Sequence, residues 1–227
     1  MDRALGIIPA RGGSKGLKNK NLMCLGGQSL VERTIRAAVD ANVLTMCIVT
    51  TDSLDILYEA NRLRAPIIHR PPELATDEAG MVPTLQHVVR WSEEQGVRYD
   101  LVVCLQPTSP FRIGEDIAAT LRLVTDTGAD SAQTLVETHQ PWSMSHLQGD
   151  RVRHLYPAAA TVDWRRQDGD PVYMPNGAVY VVRTETLIKY GRLIGADHRG
   201  WVMPVERSIN INTALDFKIA EMILEHR

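Results

Sequence analysis

The chain has 227 residues, 44% hydrophobic and 23% charged, which is enough apolar material for one good-sized α/β domain and too much for a disordered chain. With 25 basic residues against 27 acidic ones, the net charge of −2 excludes the dominant basic surface that wholesale nucleic-acid binding needs, so any cationic site is local. The apolar stretch before Arg11 is too short for a signal-peptide core, no later segment is long enough for a membrane span, and the three cysteines (Cys24, Cys47 and Cys104) lack metal-ligand spacing; a soluble, cytoplasmic protein with reduced thiols is expected.

The first predicted element is a strand at Ala4–Pro9, followed by a polar, glycine-rich loop at 10–21. Ser29-Leu30-Val31-Glu32 has the S-x-x-E form of a capping box, in which each side chain takes the other residue's amide, so a helix begins there. A strand at 45–50, a helix at 53–63 and a short strand at 66–69 come next. Pro83 suits the first turn of a helix running to about Glu94. The run 101–105 is apolar throughout, as in a strand covered on both faces, and a helix follows at 114–124. This alternation implies a mostly parallel sheet with right-handed crossovers. Ligands of such sheets bind beyond the carboxyl ends of the strands, where the polar loops 10–21, 70–80 and 106–112 fall. From about Thr138 the alternation lapses. Leu147 to Val152, centred on Gly149-Asp150, reads as a hairpin turn, and 157–171 is irregular and polar, so the stretch is expected to be an excursion that serves as a dimerisation element or lid. The sheet resumes at 178–183 and 201–205, and Thr213-Ala214-Leu215-Asp216 has the form of a cap on a terminal helix.

The loop after the first strand carries the chemistry. From Arg11 through Val31 there are cations at 11, 15, 18 and 20 and no carboxylate before Glu32, and the loop itself has glycines at 12, 13 and 16. Two readings compete: a solvated basic turn, and a nest of backbone amides and cations for a polyphosphate. The loop matches neither G-x-x-x-x-G-K-[ST] nor G-x-G-x-x-G, so it is neither an ATPase P-loop nor a dinucleotide fingerprint. An arginine with several lysines suits a triphosphate attacked at its α-phosphorus, where pyrophosphate departs.

Ile7-Ile8-Pro9-Ala10-Arg11-Gly12-Gly13-Ser14-Lys15-Gly16, followed by Lys20-Asn21-Leu22, resembles the opening signature of the acylneuraminate cytidylyltransferases, the CMP-sialic acid synthetase family. Five later blocks resemble that family in the same order. They are Thr50-Thr51-Asp52-Ser53, Arg70 through Asp77, Leu105 through Arg112, Pro175-Asn176-Gly177-Ala178-Val179-Tyr180, and Ser208-Ile209-Asn210-Ile211-Asn212-Thr213.

The resemblance implies a three-layer, Rossmann-like nucleotidyltransferase fold in a single domain over 1–227, with 139–175 inserted as a dimerisation or lid element. It implies transfer of CMP from CTP to the anomeric hydroxyl of a nonulosonic, sialic-acid-like 2-keto sugar acid, with release of pyrophosphate, by a homodimer. Two alternatives stay open: a cytidylyltransferase for an octulosonic acid, and a catalytically impaired nucleotide-binding homologue. By the same resemblance Ala10, Arg11, Gly12, Gly13, Ser14, Lys15, Asn21, Arg70 and Gly80 bind the nucleotide, and Arg11 and Lys20 act in catalysis. Gln106, Arg166 and Tyr180 meet the sugar acid. Magnesium or manganese is the implied cofactor, either at Asn210 and Asn212, where well-known members of the family carry aspartates, or held mainly by the triphosphate and waters with the two asparagines as neutral, outer ligands. Each of these residues also has a plainer reading: Arg70 and Arg166 as solvated charges, Gln106 as a backbone cap, Tyr180 as a residue packed in a sheet.

Overall fold

The computed structural model describes residues 2–13, 16–138, 144–155 and 170–226. Its centre is a seven-stranded sheet. The strands, in chain order, are β1 (Ala4–Pro9), β4 (Met46–Thr51), β5 (Ile67–His69), β6 (Leu101–Cys104), β7 (Ser131–Thr138), β10 (Val172–Arg183) and β11 (His198–Val202), and in space they run β11-β7-β10-β6-β1-β4-β5. Every pairing is parallel except the two made by β10, so β10 alone points against the rest. Two small hairpins stand apart: β2 (Cys24–Leu25) with β3 (Gln28–Ser29), and β8 (Ser145–Gln148) with β9 (Arg151–His154). The second of these turns at Gly149, whose φ of 65° suits glycine, and it places the expected hairpin at the expected residues.

Helices cover both faces. Alternation along β1 sends Ala4 and Ile8 to one side and Leu5 and Ile7 to the other. The first side packs on α1 (Leu30–Ala41), α2 (Leu54–Arg62) and α4 (Gly114–Thr125), through Val31, Ile35, Ile56, Ile117 and Leu121. The second packs on α3 (Met81–Glu94) and α5 (Thr184–Tyr190), through Leu85, Val88 and Leu187. The result is the expected three-layer α/β architecture. The terminal helix, α6 (Ala214–Glu225), closes a third cluster with Leu25, Leu30 and Phe111.

The caps divide. On α6 the reciprocal box forms: Asp216 N donates to Thr213 Oγ1 at 3.2 Å, and Thr213 N to Asp216 Oδ2 at 2.8 Å. On α1 only half of it does. Glu32 N donates to Ser29 Oγ at 3.1 Å, but the Glu32 carboxylate accepts from Arg36 and from Arg62 of α2 instead of from the Ser29 amide. Two guanidinium groups outcompete one amide for the same carboxylate.

Other expectations needed revision. β7 and α5 escaped notice, β10 begins six residues earlier than the expected 178, and β11 lies at His198–Val202 rather than 201–205. β7 reads Ser-Ala-Gln-Thr-Leu-Val-Glu-Thr, a polar strand whose stability comes from pairing on both sides, with β10 and β11.

Candidate active site

β1 has β4 on one side and β6 on the other, and the helices that follow β1 and β5 lie on opposite faces. Such a switch point opens a crevice at the carboxyl ends of the strands. A cleft of about 370 Å³ lies there. It is lined from the end of β1 (Pro9, Arg11), the loop after it (Gly16, Lys20, Asn21), the loop after β5 (Arg70, Thr76, Asp77), the start of α3 (Gly80, Met81, Thr84), the end of β6 (Gln106, Thr108) and Asn212. The three loops expected to carry ligand thus meet in one place.

The structure brings Arg11, Lys20, Asn21, Arg70, Gly80, Gln106 and Asn212 together around this cleft. Ala10 is buried beneath it, with its amide donated to Thr50 O at 3.0 Å. Tyr180 projects on the α3 face of the sheet, opposite Cys104 in register, and is not among the cleft's lining residues. Asn210 stands behind Asn212, two positions earlier in the chain, its Oδ1 accepting from Asn212 Nδ2 at 3.3 Å. Ser14, Lys15 and Arg166 lie outside the described residues, as does most of the 139–175 stretch.

The loop glycines work differently from a free amide nest. None of Gly12, Gly13 and Gly16 has a positive φ. Gly12 donates its amide to Asp52 Oδ1 at 2.9 Å, and a Cβ on it would stand 2.8 Å from Ser53 Cβ. A Cβ on Gly16 would stand 2.7 Å from the Asn212 carbonyl. These two glycines let the loop lie directly on the second strand's end and on the segment before α6.

Arg11, Lys20 and Arg70 line the cleft with one carboxylate, Asp77, among the described residues. The Arg11 guanidinium donates to Thr76 O at 2.7 Å and pairs with Asp77 Oδ1 at 2.5 Å, joining the loop after β1 to the loop after β5 across the cleft. Asn21 Nδ2 donates to Arg11 O at 2.9 Å and fixes that backbone. Arg70 is 4% exposed and held by a bond from its NH2 to Thr50 O at 2.8 Å, while its Nε is buried without a partner. Burial, reinforced by Arg11, pulls its guanidinium down to about 10. Lys20 Nζ donates to Ile211 O at 3.0 Å and Asn212 Oδ1 at 3.3 Å, and burial, with Arg11 nearby, lowers its pKa. Desolvated cations of this kind bind a polyanion strongly, because they give up little water to do so.

Among the sequence readings, Asp77 had gone unremarked as a site residue. Nothing in its block set it apart from Glu73, the other carboxylate there. Asp216 was expected only as a cap; it also lies close enough to Lys20 to offset part of the lowering that burial and Arg11 cause.

A family profile described as cytidylyltransferase matches residues 5–207. The chain belongs to the cytidylyltransferase family. Among curated cytidylyltransferase relatives, N-acylneuraminate cytidylyltransferase A of Danio rerio is 33% identical over 219 residues, 95% of this chain and 49% of its own length. CMP-N,N'-diacetyllegionaminic acid synthase of Legionella pneumophila is 29% identical over 227 residues, 98% of this chain and 97% of its own length. The chain spans about half the length of the first curated relatives it matches. Among solved structures, CMP:2-keto-3-deoxy-manno-octonic acid synthetase complexed with CTP shares the fold, with a TM-score of 0.72 at 16% identity over 99% of this chain and 100% of that one.

The residues expected to hold magnesium do not build a site for it. Asn210 and Asn212 supply neutral amides, and the Asn212 oxygen already accepts from the Lys20 ammonium. Magnesium takes carboxylate, phosphate and water oxygens, and a carbonyl aimed at a cation is poorly placed to serve a second. Among the described residues no group of three or more His, Cys, Asp or Glu side chains could hold a metal ion.

Proposed function

We propose that this protein transfers CMP from CTP to the anomeric hydroxyl of a nonulosonic sugar acid of the sialic-acid type. The observation that carries the reading is the convergence of Arg11, Lys20 and Arg70 on one cleft beyond the carboxyl ends of β1, β5 and β6. Membership of the family and similarity to the N-acylneuraminate and diacetyllegionaminic acid enzymes support it.

The hydroxyl oxygen attacks the α-phosphorus in line with the bridging oxygen to the β-phosphorus. The new O–P bond forms as the old one breaks, the electron pair leaves with pyrophosphate, and the hydroxyl proton is released to water. Arg11 and Lys20 hold the triphosphate, and Lys20 meets the charge that grows on the departing pyrophosphate. Arg70, pinned beneath the cleft with a spare Nε, recognises cytosine together with the backbone at Ala10 and Gly80. Gln106 at the end of β6 faces the acceptor. Magnesium is proposed to arrive on the nucleotide, with phosphate and water oxygens as its ligands.

The working unit is proposed to be a cytoplasmic homodimer. The β8–β9 hairpin, where Leu147 is 70% and Val152 62% exposed, supplies an apolar contact surface for it. No helix among the described residues is long and apolar enough to cross a membrane. The test is pyrophosphate release with each of the four ribonucleoside triphosphates and a pool of 2-keto sugar acids. Release with CTP alone supports the reading, and dividing the pool identifies the acceptor, octulosonic acids included. Silence with every nucleotide, in a protein that binds CTP, would replace the enzyme with a nucleotide-binding homologue.

A further inference from the structure

A row of side-chain amides leads from the core to the cleft. It starts at Asn176, which is 2% exposed and sits in the irregular stretch of β10 between Pro175 and Tyr180. Its side chain is saturated: Oδ1 accepts from Thr134 Oγ1 at 2.6 Å and Ala178 N at 3.1 Å, and Nδ2 donates to Ser208 Oγ at 3.0 Å and Met203 Sδ at 3.2 Å. Its backbone oxygen accepts from Ser109 Oγ at 3.1 Å and from Asn210 Nδ2 at 3.3 Å. Asn210 Oδ1 accepts from Asn212 Nδ2 at 3.3 Å, and Asn212 Oδ1 accepts from Lys20 Nζ at 3.3 Å. Asn210 and Asn212 each use their donor on the group behind, the Asn176 backbone oxygen and Asn210 Oδ1, and their acceptor on the group in front.

We propose that Asn176, Asn210 and Asn212 are an anchored relay that positions the Lys20 ammonium for the departing pyrophosphate, and that they do this in place of holding a divalent ion. The inference rests on the proposed reaction for its purpose and on the geometry alone for its wiring. A lysine stem has four rotatable carbons, and ordering it costs rotamer freedom unless something already holds it. The relay and Ile211 O engage two of the three ammonium donors and leave one for a ligand oxygen. Both holding groups are neutral, so they orient the charge without cancelling it. A carboxylate at 212 would pair with Lys20 and spend that charge before any phosphate arrived.

The backbone is shaped to the same end. Gly177 has φ 76°, and a Cβ there would stand 2.5 Å from Asn210 Nδ2 and 3.4 Å from Gln106 Oε1. Only glycine lets the chain turn close enough for Asn210 to reach Asn176 O. Replacing Gly177 therefore disturbs the relay at a position that does not line the cleft.

Two measurements on the full-length protein decide the matter. In the first, free Mn2+ is titrated by electron paramagnetic resonance without nucleotide. The expected result is no stoichiometric site in the wild type or in Asn210→Ala. Stoichiometric binding that Asn210→Ala abolishes would make the asparagines metal ligands and overturn the relay. In the second, pyrophosphate release is followed in Asn210→Ala and Gly177→Ala. A positioning role acts in the transition state, so kcat is expected to fall about tenfold or more while KM for CTP stays within about twofold. An unchanged kcat, or a loss confined to KM, sinks the proposal. Should the wild type release no pyrophosphate with any acceptor, the reaction assignment fails separately. The crystal structure of Asn210→Ala then decides the wiring: Lys20 Nζ displaced from Asn212 Oδ1 sustains the relay, and an unmoved Lys20 refutes it.

Discussion

Arg11 meets its expected ligand only by leaving a present partner. Its pair with Asp77 is about 28% exposed on each side, so it is worth less than about 1 kcal/mol, the range of partly solvated pairs. Asp77→Asn removes the competitor and keeps the loop's shape, and CTP is expected to bind about two- to fivefold more tightly in a calorimetric titration. A weaker affinity would instead make the Asp77 carboxylate part of the nucleotide's own binding. Lys20→Met keeps the apolar stem and removes the charge. It is expected to lower kcat about a hundredfold or more, as loss of a transition-state charge contact does. At this scale Arg11, Lys20 and Asn21 were legible, because a one-signed, glycine-rich loop after a buried strand has few other uses, whereas Arg70 and Gln106 stood out only through the resemblance of their blocks to the family. The Arg11–Asp77 pair was not, since nothing in the order of residues places 77 beside 11.

Elements stand on local signals where they have them. Strand β1, helix α1 and helix α6 announce themselves by apolar periodicity and by Ser29 and Thr213 as caps. β7 was not foreseen because Ser131, Gln133 and Thr134 are polar yet buried, a combination possible only with strands on both sides. Buried Thr134 bonds Asn176 and Val179 of β10, partners that the local pattern does not contain. The start of α4 lies directly against the backbone at the end of α1. A Cβ on Gly114 would lie 2.7 Å from Ala41 N and 2.8 Å from the Asp40 carbonyl carbon, both backbone atoms of α1. Gly114→Ala is therefore expected to cost about 1–3 kcal/mol in urea unfolding, with overpacking outweighing alanine's better helix propensity. A neutral or stabilising result would mean that α4 slides outward at little cost.

For the whole molecule, the joint that ties α4 to the far edge of the sheet is a buried charge. Asp116, fully buried, pairs with Arg207 at 2.7 Å and accepts from Trp201 Nε1 at 3.3 Å and Ile113 N at 3.0 Å. Arg207→Met strips the counter-charge but leaves the two neutral donors, so the loss is expected near the low end for broken buried pairs, about 3 kcal/mol. In a chain of this size that lowers the melting temperature by about 10 °C. Acid acts on the fold through His87 and His198. Both are held below the ordinary imidazole value, chiefly by burial. The unfolded chain therefore binds these protons more tightly than the native one. Their contribution is complete above the unfolded value of about 6.5 and is lost as pH falls through the lower folded values. Melting temperature is expected to drop as pH is lowered from about 7.5 to about 5, and to drop less in His198→Asn.

By itself the sequence determined the α/β alternation, the three loops at the strands' carboxyl ends and the cationic character of the first of them. Those follow from short-range periodicity, capping and charge order, all of which act within a few residues. Only the tertiary structure decided that β10 runs against its neighbours, that Arg11 is paired with Asp77, and that Lys20 is held by Ile211 and Asn212 from 191 and 192 positions away. Contacts of that reach depend on how the sheet closes and on where glycine lets two backbones touch, and no local pattern encodes either.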